Sequence, residues 1–381
     1  MNVLTFIMDR YSLIIENLLT YVKSNHNIVN KQTLSLFLLF LFVAYNPLFS
    51  QNSEGVATPL KITRLFKDQS ILPMRMSFSN KEMKRKTNDS TYLLSRIYYE
   101  NEGIWDSIEV KIRARGNFRR AHCYFPPIKI KIKKSIAKGT LFKGNKELKV
   151  VLPCYSSEST FDNIVKEYMA YKLYELISPY HYKTRMTTIN LTELKGNKTK
   201  THQLKAFLIE DIDKVADRHN AKKMKRSVHP LQQDNICSVQ NDFFQYMIGN
   251  TDYSVAYQHN EKLIFTSDNK TMPIPYDFDM SGLVDASYSV VSQVQNETLS
   301  IEKVTDRLYR GFKRDEQIYQ MVRKQFLDNE QKFYAVMDGL KDNFDNPKEY
   351  DKARIFIGDF FKVMKDDTKF SNEIIKKART K

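Results

Sequence analysis

Alternating apolar and polar residues at 104–115 place the strongest constraint on how this chain folds. Over residues 108–113 every apolar side chain is followed by a charged one. The same alternation recurs at 128–133, and an apolar-rich run follows at 148–152. A period of two residues is that of a β-strand with one buried face. The pattern therefore predicts an antiparallel sheet that carries basic residues on one face.

The spacing of apolar residues changes along the rest of the chain. Residues 161–177 carry one apolar stripe at helical spacing. Further strands are expected at 60–66, 92–99, 185–191 and 204–210. Helices are expected at 211–219, 238–249, 314–342 and 348–380. This order predicts an α+β protein with a β-rich half at 52–210 and a mainly helical half at 211–381.

Composition indicates a folded protein with a basic surface. Of the 381 residues, 42% are hydrophobic and 12% aromatic, enough for a real core and for two lobes around a cleft. The net charge of +16 favours anionic partners such as nucleotide phosphates, nucleic acid or an anionic membrane surface. No zinc-site spacing and no RNA-binding signature with interleaved aromatic residues occurs. Nucleic acid is therefore a less favoured partner.

The N-terminal part contains a segment typical of an export signal. Residues 33–50 carry no charge, and residues 34–44 are almost wholly apolar. A membrane span needs about 20 apolar residues, so this run is too short to span and fits the core of a secretory signal peptide. Ser50 offers a small residue for cleavage, although residues 1–32 are longer than an ordinary leading region. The sequence predicts that 1–51 is a signal peptide or a membrane anchor, and that the protein is exported to the periplasm or the cell surface.

The cysteines permit one disulfide. Three are present, at Cys123, Cys154 and Cys237. In an exported protein a bond between Cys123 and Cys154 is plausible and leaves Cys237 as the odd thiol. The alternative is that all three are buried and reduced. No Cys-x-x-Cys motif indicates thiol chemistry.

Acidic residues lie on both sides of the apolar run 263–265. Asp252 follows a Gly-Asn-Thr turn, where its carboxylate either orients an attacking hydroxyl group as a general base or simply caps the turn. Asp277 and Asp279 share one face if the segment is extended, and can then present oxygen ligands to Mg²⁺. Asn260 can add an amide ligand if the eight-residue spacing from Asp252 is taken up by a bulge. A base beside a metal site is typical of phosphotransferases.

Basic residues of the predicted sheet are candidates for binding phosphate. Only one of four strand lysines is expected to reach a nucleotide: Lys129, Lys131, Lys133 or Lys149. Glu167 lies in the helix predicted at 161–177, where a glutamate can pair with such a lysine and position it. Arg115 begins an Arg-Gly-Asn turn whose backbone N–H groups and charge suit a phosphate group. No glycine-rich kinase loop and no P-loop motif is present.

Taken in order, these motifs resemble a known family. The stretches at 113–117, 127–131 and 148–152 are similar to the N-terminal lobe of the spore-coat protein kinases of the CotH family. Four further motifs are similar to the same family: Lys166-Glu167-Tyr168, Phe207-Leu208-Ile209-Glu210, Gly249-Asn250-Thr251-Asp252 and Pro275-Tyr276-Asp277-Phe278-Asp279. The last two also resemble HipA-type kinases. The resemblance covers about residues 105–285, and its strength lies in the order of the motifs.

The resemblance implies a two-lobed atypical protein-kinase-like fold, with a β-rich N-terminal lobe, a mainly helical C-terminal lobe and a hinge near Glu210. It implies transfer of the γ-phosphoryl group of ATP, with Mg²⁺ or Mn²⁺, to serine or threonine of an envelope or surface protein. Asp252 would be the base, and Asp277, with Asp279 or Asn260, would hold the metal. The cofactor-binding residues would be Lys129 or Lys149, Glu167, Arg115 and Glu210.

Two other functions are compatible with the sequence. One is a kinase-fold protein without catalysis that acts as a scaffold or assembly factor in the cell envelope. The other is a nucleic-acid or polyanion binder, which only the net charge suggests. Binding and turnover of nucleotide separate the first alternative from the kinase hypothesis. A steep salt dependence of affinity identifies the second.

Overall fold

The structure, a computed structural model, describes residues 61–116, 118–292 and 299–380. Most of its strands precede residue 211 and most of its long helices follow it, so the predicted α+β class is confirmed. Within these ranges no helix is both long and apolar enough to cross a membrane. The predicted signal peptide or anchor at 1–51 lies outside the described residues.

The strands are β1 Leu72–Phe78, β2 Leu93–Asn101, β3 Ile104–Ala114, β4 Ile128–Lys131, β5 Glu147–Val151, β6 Thr184–Lys195, β7 Lys198–Glu210, β8 Lys222–Met224, β9 Glu261–Phe265 and β10 Thr271–Pro275. The helices are α1 Arg64–Lys67, α2 Asn80–Lys86, α3 Phe118–His122, α4 Lys134–Ala137, α5 Glu158–Tyr174, α6 Ile212–Arg218, α7 Asn235–Met247, α8 Glu316–Asp328, α9 Glu330–Asp338, α10 Pro347–Lys365 and α11 Asp367–Phe370. Strands β8, β9 and β10 form a small antiparallel sheet.

Strands β1 to β7 close into a barrel in the order β1-β2-β3-β4-β5-β7-β6. Neighbours are antiparallel except β1 and β6, which are parallel. A ring with an odd number of strands cannot alternate direction throughout, so closure requires one parallel pair. The alternation that predicts β3 places Ile108, Val110 and Ile112 in the barrel core. Ile104 is 72% exposed, because the tip of the β2–β3 hairpin extends past this core.

Strand β7 contributes to two hydrophobic cores, because alternate side chains of a strand face opposite sides. Leu208 belongs to the barrel core, whereas Phe207 and Ile209 belong to a second core that is mainly helical. Tyr168 and Tyr171 of α5 pack edge-on against Phe207, with ring centroids 5.7 and 5.6 Å away. Helix α5 is therefore held between the barrel and the helical half.

The structure confirms the strands predicted at 92–99, 185–191 and 204–210 and the helices predicted at 161–177, 211–219 and 238–249 to within a few residues, except that β7 already begins at Lys198. The strand predicted at 60–66 is wrong, since the short helix α1 buries two adjacent side chains there instead of alternate ones. The helix predicted at 314–342 is divided at Asn329 into α8 and α9. The helix predicted at 348–380 ends at α10, because Asp366 is extended and caps α11.

Candidate functional site

A cleft of about 490 Å³ brings together residues that lie far apart in the sequence. Its lining includes five of the predicted site residues: Arg115, Asp252, Asn260, Asp277 and Asp279. It also includes Arg119, His259 and Tyr276. The other four predicted residues lie outside this lining: Lys129, Lys149, Glu167 and Glu210.

The β9–β10 hairpin explains how the metal-binding candidates meet. Asn260 directly precedes β9, and Tyr276 directly follows β10. The hairpin brings the chain back on itself, so the Tyr276 N–H donates to the Asn260 carbonyl oxygen at 3.0 Å. The eight-residue spacing before Asn260 is taken up by a turn that Ser254 and His259 close with paired backbone hydrogen bonds of 3.0 and 3.1 Å. The bulge that the spacing requires is therefore present.

Asp252 lies on a short loop that is fixed at several points. Helix α7 ends before Gly249, which has a φ of +61° and which a Cβ atom would bring within 2.9 Å of the Phe356 ring. The Gly249 carbonyl oxygen accepts a hydrogen bond of 3.0 Å from the Gly282 N–H. The Asn250 side chain accepts from the Asp252 N–H at 2.9 Å. These contacts hold the Asp252 backbone in place, so its side chain enters the cleft from a rigid loop.

The carboxylate of Asp252 accepts three side-chain hydrogen bonds. The donors are Asn260 Nδ2 at 2.9 Å, Ser292 Oγ at 3.0 Å and His259 Nε2 at 3.2 Å. Burial by itself raises the pKa of Asp252, but the hydrogen bonds and the charge of His259 outweigh burial and hold this pKa below its usual value. The carboxylate is thus ionised at neutral pH and still 22% exposed to the cleft.

His259 makes the stability of this site depend on pH. Its hydrogen bond to Asp252 raises the pKa of His259 above the usual value. Stabilisation from a raised histidine pKa is complete below the unfolded-state value of about 6.5 and is lost as the pH rises through the folded-state pKa. We expect His259→Gln to destabilise the protein more at about pH 5.5 than at about pH 8.5. Urea unfolding of both proteins at each pH measures this difference, and an equal loss at the two pH values would contradict it.

Asp277 and Asp279 follow the strand and do not lie on it, so the condition under which they would share one strand face is not met. Strand β10 ends at Pro275, and Asp277 has a left-handed φ of +65°. The Asp277 N–H donates to the Tyr171 hydroxyl at 2.9 Å, which ties this turn to α5. Asp279 is buried and accepts a hydrogen bond of 3.1 Å from the Tyr288 hydroxyl. Burial, with repulsion from Asp277, raises the pKa of Asp279 to about 6.

These residues are chemically suited to Mg²⁺. The side chain of Asn260 uses its amide nitrogen on Asp252, and no described residue donates to its amide oxygen. That oxygen and the Asp277 and Asp279 carboxylates are hard donors of the kind that Mg²⁺ prefers. The described residues contain no group of three or more His, Cys, Asp and Glu side chains placed to hold a metal ion. Mg²⁺ in nucleotide sites commonly uses one or two carboxylates plus phosphate oxygens and water, so a donor set of this size fits it.

Among the described residues Glu167 has no lysine partner, in contrast to the predicted arrangement. Its Oε2 atom lies 3.7 Å from Nη1 of Arg119, and the same nitrogen lies 3.8 Å from Oδ2 of Asp279. All three side chains are at most 8% exposed. Burial, with repulsion from Asp279, raises the pKa of Glu167 well above its usual value. An arginine therefore occupies the place next to the helix glutamate that the prediction gave to Lys129 or Lys149.

The two candidate lysines have other partners. Lys129 pairs with Glu147 at 2.6 Å on the neighbouring strand, so its charge is already compensated. The Lys149 ammonium lies over the rings of Tyr276 and Tyr182, 4.1 and 5.0 Å from their centroids. Burial, with repulsion from Arg115, lowers the pKa of Lys149 to about 7. Lys149 borders the cleft through Tyr276, whereas Lys129 is not part of the cleft lining.

The side chain of Glu210 is buried and bonded to other residues of the protein. Its carboxylate is 2% exposed, pairs with Arg218 at 2.7 Å and accepts from the Lys183 N–H at 2.7 Å. Both oxygen atoms of this carboxylate already accept hydrogen bonds from groups of the protein. Cofactor binding by Glu210 stays a prediction, and its backbone, at the junction of β7 and α6, is the part of the residue without these contacts.

The predicted disulfide between Cys123 and Cys154 is present, and Cys237 is a buried free thiol. The disulfide joins the end of α3 to the segment that leads into α5. Hydrogen bonds reinforce the joint, since the Tyr124 N–H donates to the Cys154 carbonyl oxygen at 2.9 Å. Because α3 carries Arg119 and α5 carries Glu167, the disulfide holds these two residues close together.

Arg119, Tyr288 and Ser292 contact the predicted site residues but were not themselves predicted. The arginine-rich run at 115–120 after a predicted strand is a signal that could have identified Arg119. Tyr288 and Ser292 carry no such signal, because their role follows from contacts with residues that are distant in sequence. No protein-family model matches the chain, and no curated protein is significantly similar to it.

Proposed function

We propose that this protein is an atypical kinase that transfers the γ-phosphoryl group of ATP to a hydroxyl group of another protein. The observation that carries this proposal is that Asp252 and Asn260 line one cleft with Asp277 and Asp279. Phosphoryl transfer needs positioning and charge stabilisation from a protein, and a carboxylate base beside hard oxygen ligands supplies both. The resemblance of the sequence motifs to CotH-family and HipA-type kinases supports the same function.

A two-lobed kinase-like architecture is part of the proposal. The barrel has its own core, and the helical half has another, which supports a division into two lobes. In this proposal β7 leads through a hinge at Glu210 into the helical lobe, and α5 is the helix that carries Glu167. The cleft draws residues from both halves, with Arg115 from one and Asp252 from the other.

In the proposed mechanism Asp252 accepts a hydrogen bond from the hydroxyl group of the acceptor protein and aligns its oxygen with the phosphorus atom. The low pKa of Asp252 makes it a weak base, which suits a reaction in which the proton leaves late and orientation matters most. His259 and Asn260 hold the carboxylate at this angle. Asp277, Asp279 and Asn260 are the residues that would hold Mg²⁺ or Mn²⁺, which when bound neutralises charge on the phosphates.

Export and an envelope or cell-surface substrate complete the proposal. Disulfides form and persist in oxidising compartments, so the bond between Cys123 and Cys154 supports a location outside the cytosol. The apolar segment at 34–44 supports the same location. The acceptor protein is expected to present serine or threonine to Asp252.

A scaffold without catalysis is the second candidate function. The observation that favours it is the contact between Glu167 and Arg119, because an ordinary kinase uses a lysine beside this glutamate. On this hypothesis the cleft binds nucleotide or an envelope partner and transfers nothing. Turnover distinguishes the two functions.

The test is an assay of the full chain with radiolabelled ATP, Mg²⁺ or Mn²⁺ and a generic protein acceptor. We expect metal-dependent label transfer, which Asp277→Asn abolishes and the control Asp268→Asn retains, because Asp268 is 60% exposed in the β9–β10 turn. A nucleotide at about 100 times its Kd stabilises the fold by about 2.7 kcal/mol. Stabilisation without transfer would favour the scaffold, and absence of both would contradict the site assignment itself.

A further inference from the structure

Two arginines beside the cleft have buried nitrogen atoms without hydrogen-bond partners. These atoms are Nε and Nη2 of Arg115 and Nε and Nη1 of Arg119, and no described residue accepts a hydrogen bond from them. The Arg115 side chain is 11% exposed and the Arg119 side chain 7% exposed. Both residues line the cleft that holds Asp252 and Asp277. Buried donors without partners destabilise a fold, so in native proteins they commonly indicate a bound ion, water or ligand.

We propose that Arg115 and Arg119 form an oxyanion site that holds the phosphate groups of the nucleotide, in the role that a strand lysine has in ordinary kinases. This inference rests on the proposed function, because it assumes that the cleft receives a nucleotide. It adds Arg119, which was not predicted from the sequence, and it gives Glu167 the role of orienting an arginine.

The nearby carboxylates do not satisfy these donors. Nη2 of Arg115 lies 3.5 Å from Oδ1 of Asp277. Nη1 of Arg119 lies 3.7 Å from Glu167 and 3.8 Å from Asp279. Hydrogen bonds between such groups are about 2.7–3.2 Å long, so these contacts provide attraction between charges but leave the N–H groups open to another acceptor. A phosphate group offers several oxygen atoms, and the planar fork of a guanidinium group matches them two at a time.

The protein holds both arginines in place before any ligand binds. The remaining nitrogen of Arg119, Nη2, donates to the Leu152 carbonyl oxygen. The Arg115 N–H donates to the Pro127 carbonyl oxygen at 2.9 Å, which fixes its backbone. The disulfide at Cys123 anchors the end of α3, one turn beyond Arg119. Because the Arg119 side chain and the Arg115 backbone are already fixed, a ligand loses less affinity to their immobilisation.

The charges around the cleft indicate the class of ligand. Asp252, Asp277 and Asp279 line the same space, so a phosphate group alone would meet several carboxylates. A condensed phosphate that arrives with a divalent cation removes this repulsion, because the cation lies with the carboxylates and the phosphate oxygens with the arginines. The expected ligand is therefore the polyphosphate part of a nucleoside triphosphate together with Mg²⁺.

The experiment measures binding by calorimetry on the full chain with tripolyphosphate, AMP and a non-hydrolysable ATP analogue, each with Mg²⁺. We expect tripolyphosphate to bind, and the ATP analogue to bind far more tightly than AMP. Each of Arg115→Met and Arg119→Met is expected to lower the affinity for tripolyphosphate by about 10- to 100-fold, since charge-assisted hydrogen bonds are lost. Lys149→Met is expected to cause a smaller loss.

Two further variants keep the result interpretable. Arg119→Lys retains the charge next to Glu167 and Asp279, so it should fold even if Arg119→Met does not, yet it loses the fork and should still bind tripolyphosphate less tightly than the wild type. Arg85→Met is the matched control, because Arg85 is exposed on α2. It should leave the affinity unchanged.

The outcomes separate this inference from the proposed function. Wild-type protein that does not bind tripolyphosphate overturns the inference, as does a folded Arg115→Met or Arg119→Lys variant with wild-type affinity. A larger loss from Lys149→Met than from Arg119→Lys and Arg115→Met also overturns it. If tripolyphosphate binding depends on the arginines but no label is transferred from ATP, the oxyanion site is supported and only the proposed kinase activity is rejected.

Discussion

Asp252→Asn is expected to lower the rate constant of phosphoryl transfer by about 10²–10⁴-fold, the usual effect of removing a positioned acid or base. The amide keeps the size of the side chain and its place beside His259 and Asn260, but it has lost the negative charge that aligns the acceptor hydroxyl. The affinity for nucleotide should change little, since Asp252 contacts the acceptor in the proposed mechanism. Steady-state kinetics with varied ATP and varied acceptor measure both quantities.

Asp268→Asn provides the matched control for this prediction, because it makes the same chemical change on an exposed turn of the same hairpin. It should retain the wild-type rate. If Asp252→Asn transfers phosphoryl groups at nearly the wild-type rate, the role of Asp252 as a base is refuted. An equal loss from Asp268→Asn would show that the assay reports stability of the hairpin and not catalysis.

Replacing Cys123 and Cys154 together by serine is expected to lower the free energy of unfolding by about 3–4 kcal/mol. The two cysteines are 31 residues apart, and their bond restricts the unfolded chain by closing this loop. In the folded state the bond also keeps α3 next to the segment before α5, so the position of Arg119 relative to Glu167 should loosen. Urea unfolding of the wild type and of the double variant measures the loss.

A reducing agent provides the control for the disulfide prediction. It should lower the stability of the wild type by a similar amount and leave the double variant unchanged, because Cys237 is already a free thiol. A variant as stable as the wild type would show that the bond contributes nothing to folding. A response of the double variant to the reducing agent would point to another effect of the treatment.

The regular elements were predictable where burial follows a local period. Strand β3 buries alternate side chains from Ile108 onward, so the alternation at 108–113 reports its structure directly. Helix α5 is buried on nearly all sides between residues 164 and 174, so the stripe at 161–177 indicates that the segment is helical but understates its burial. The segment at 60–66 contains too few residues to distinguish a strand from the short helix α1. Asn329 divides the predicted long helix without interrupting its apolar spacing, so periodicity could not reveal the break.

The candidate site was predictable in its acidic residues and in Arg115, but the basic partner of Glu167 was not predictable. Asp252, Asn260 and Asp277 follow the turns and the hairpin that bring them together, so short motifs indicate them. The partner of Glu167 depends on α3, which folds back over α5 and is held there by the disulfide. Lys129 forms an ion pair with Glu147 of the neighbouring strand, and no local pattern in the sequence indicates this pairing.

The sequence by itself determined the β-rich and helical halves, the turn that carries Asp252, and the presence of the cysteines that can bond. Only the tertiary structure decided that Arg119 lies beside Glu167, that Glu210 pairs with Arg218, and that Asp277 takes a left-handed backbone. The physical reason is the sequence distance over which each kind of interaction acts. Periodicity and turn chemistry act over a few residues of one element, whereas the partner of a buried charge depends on which distant elements pack together and on which acceptor they leave within reach.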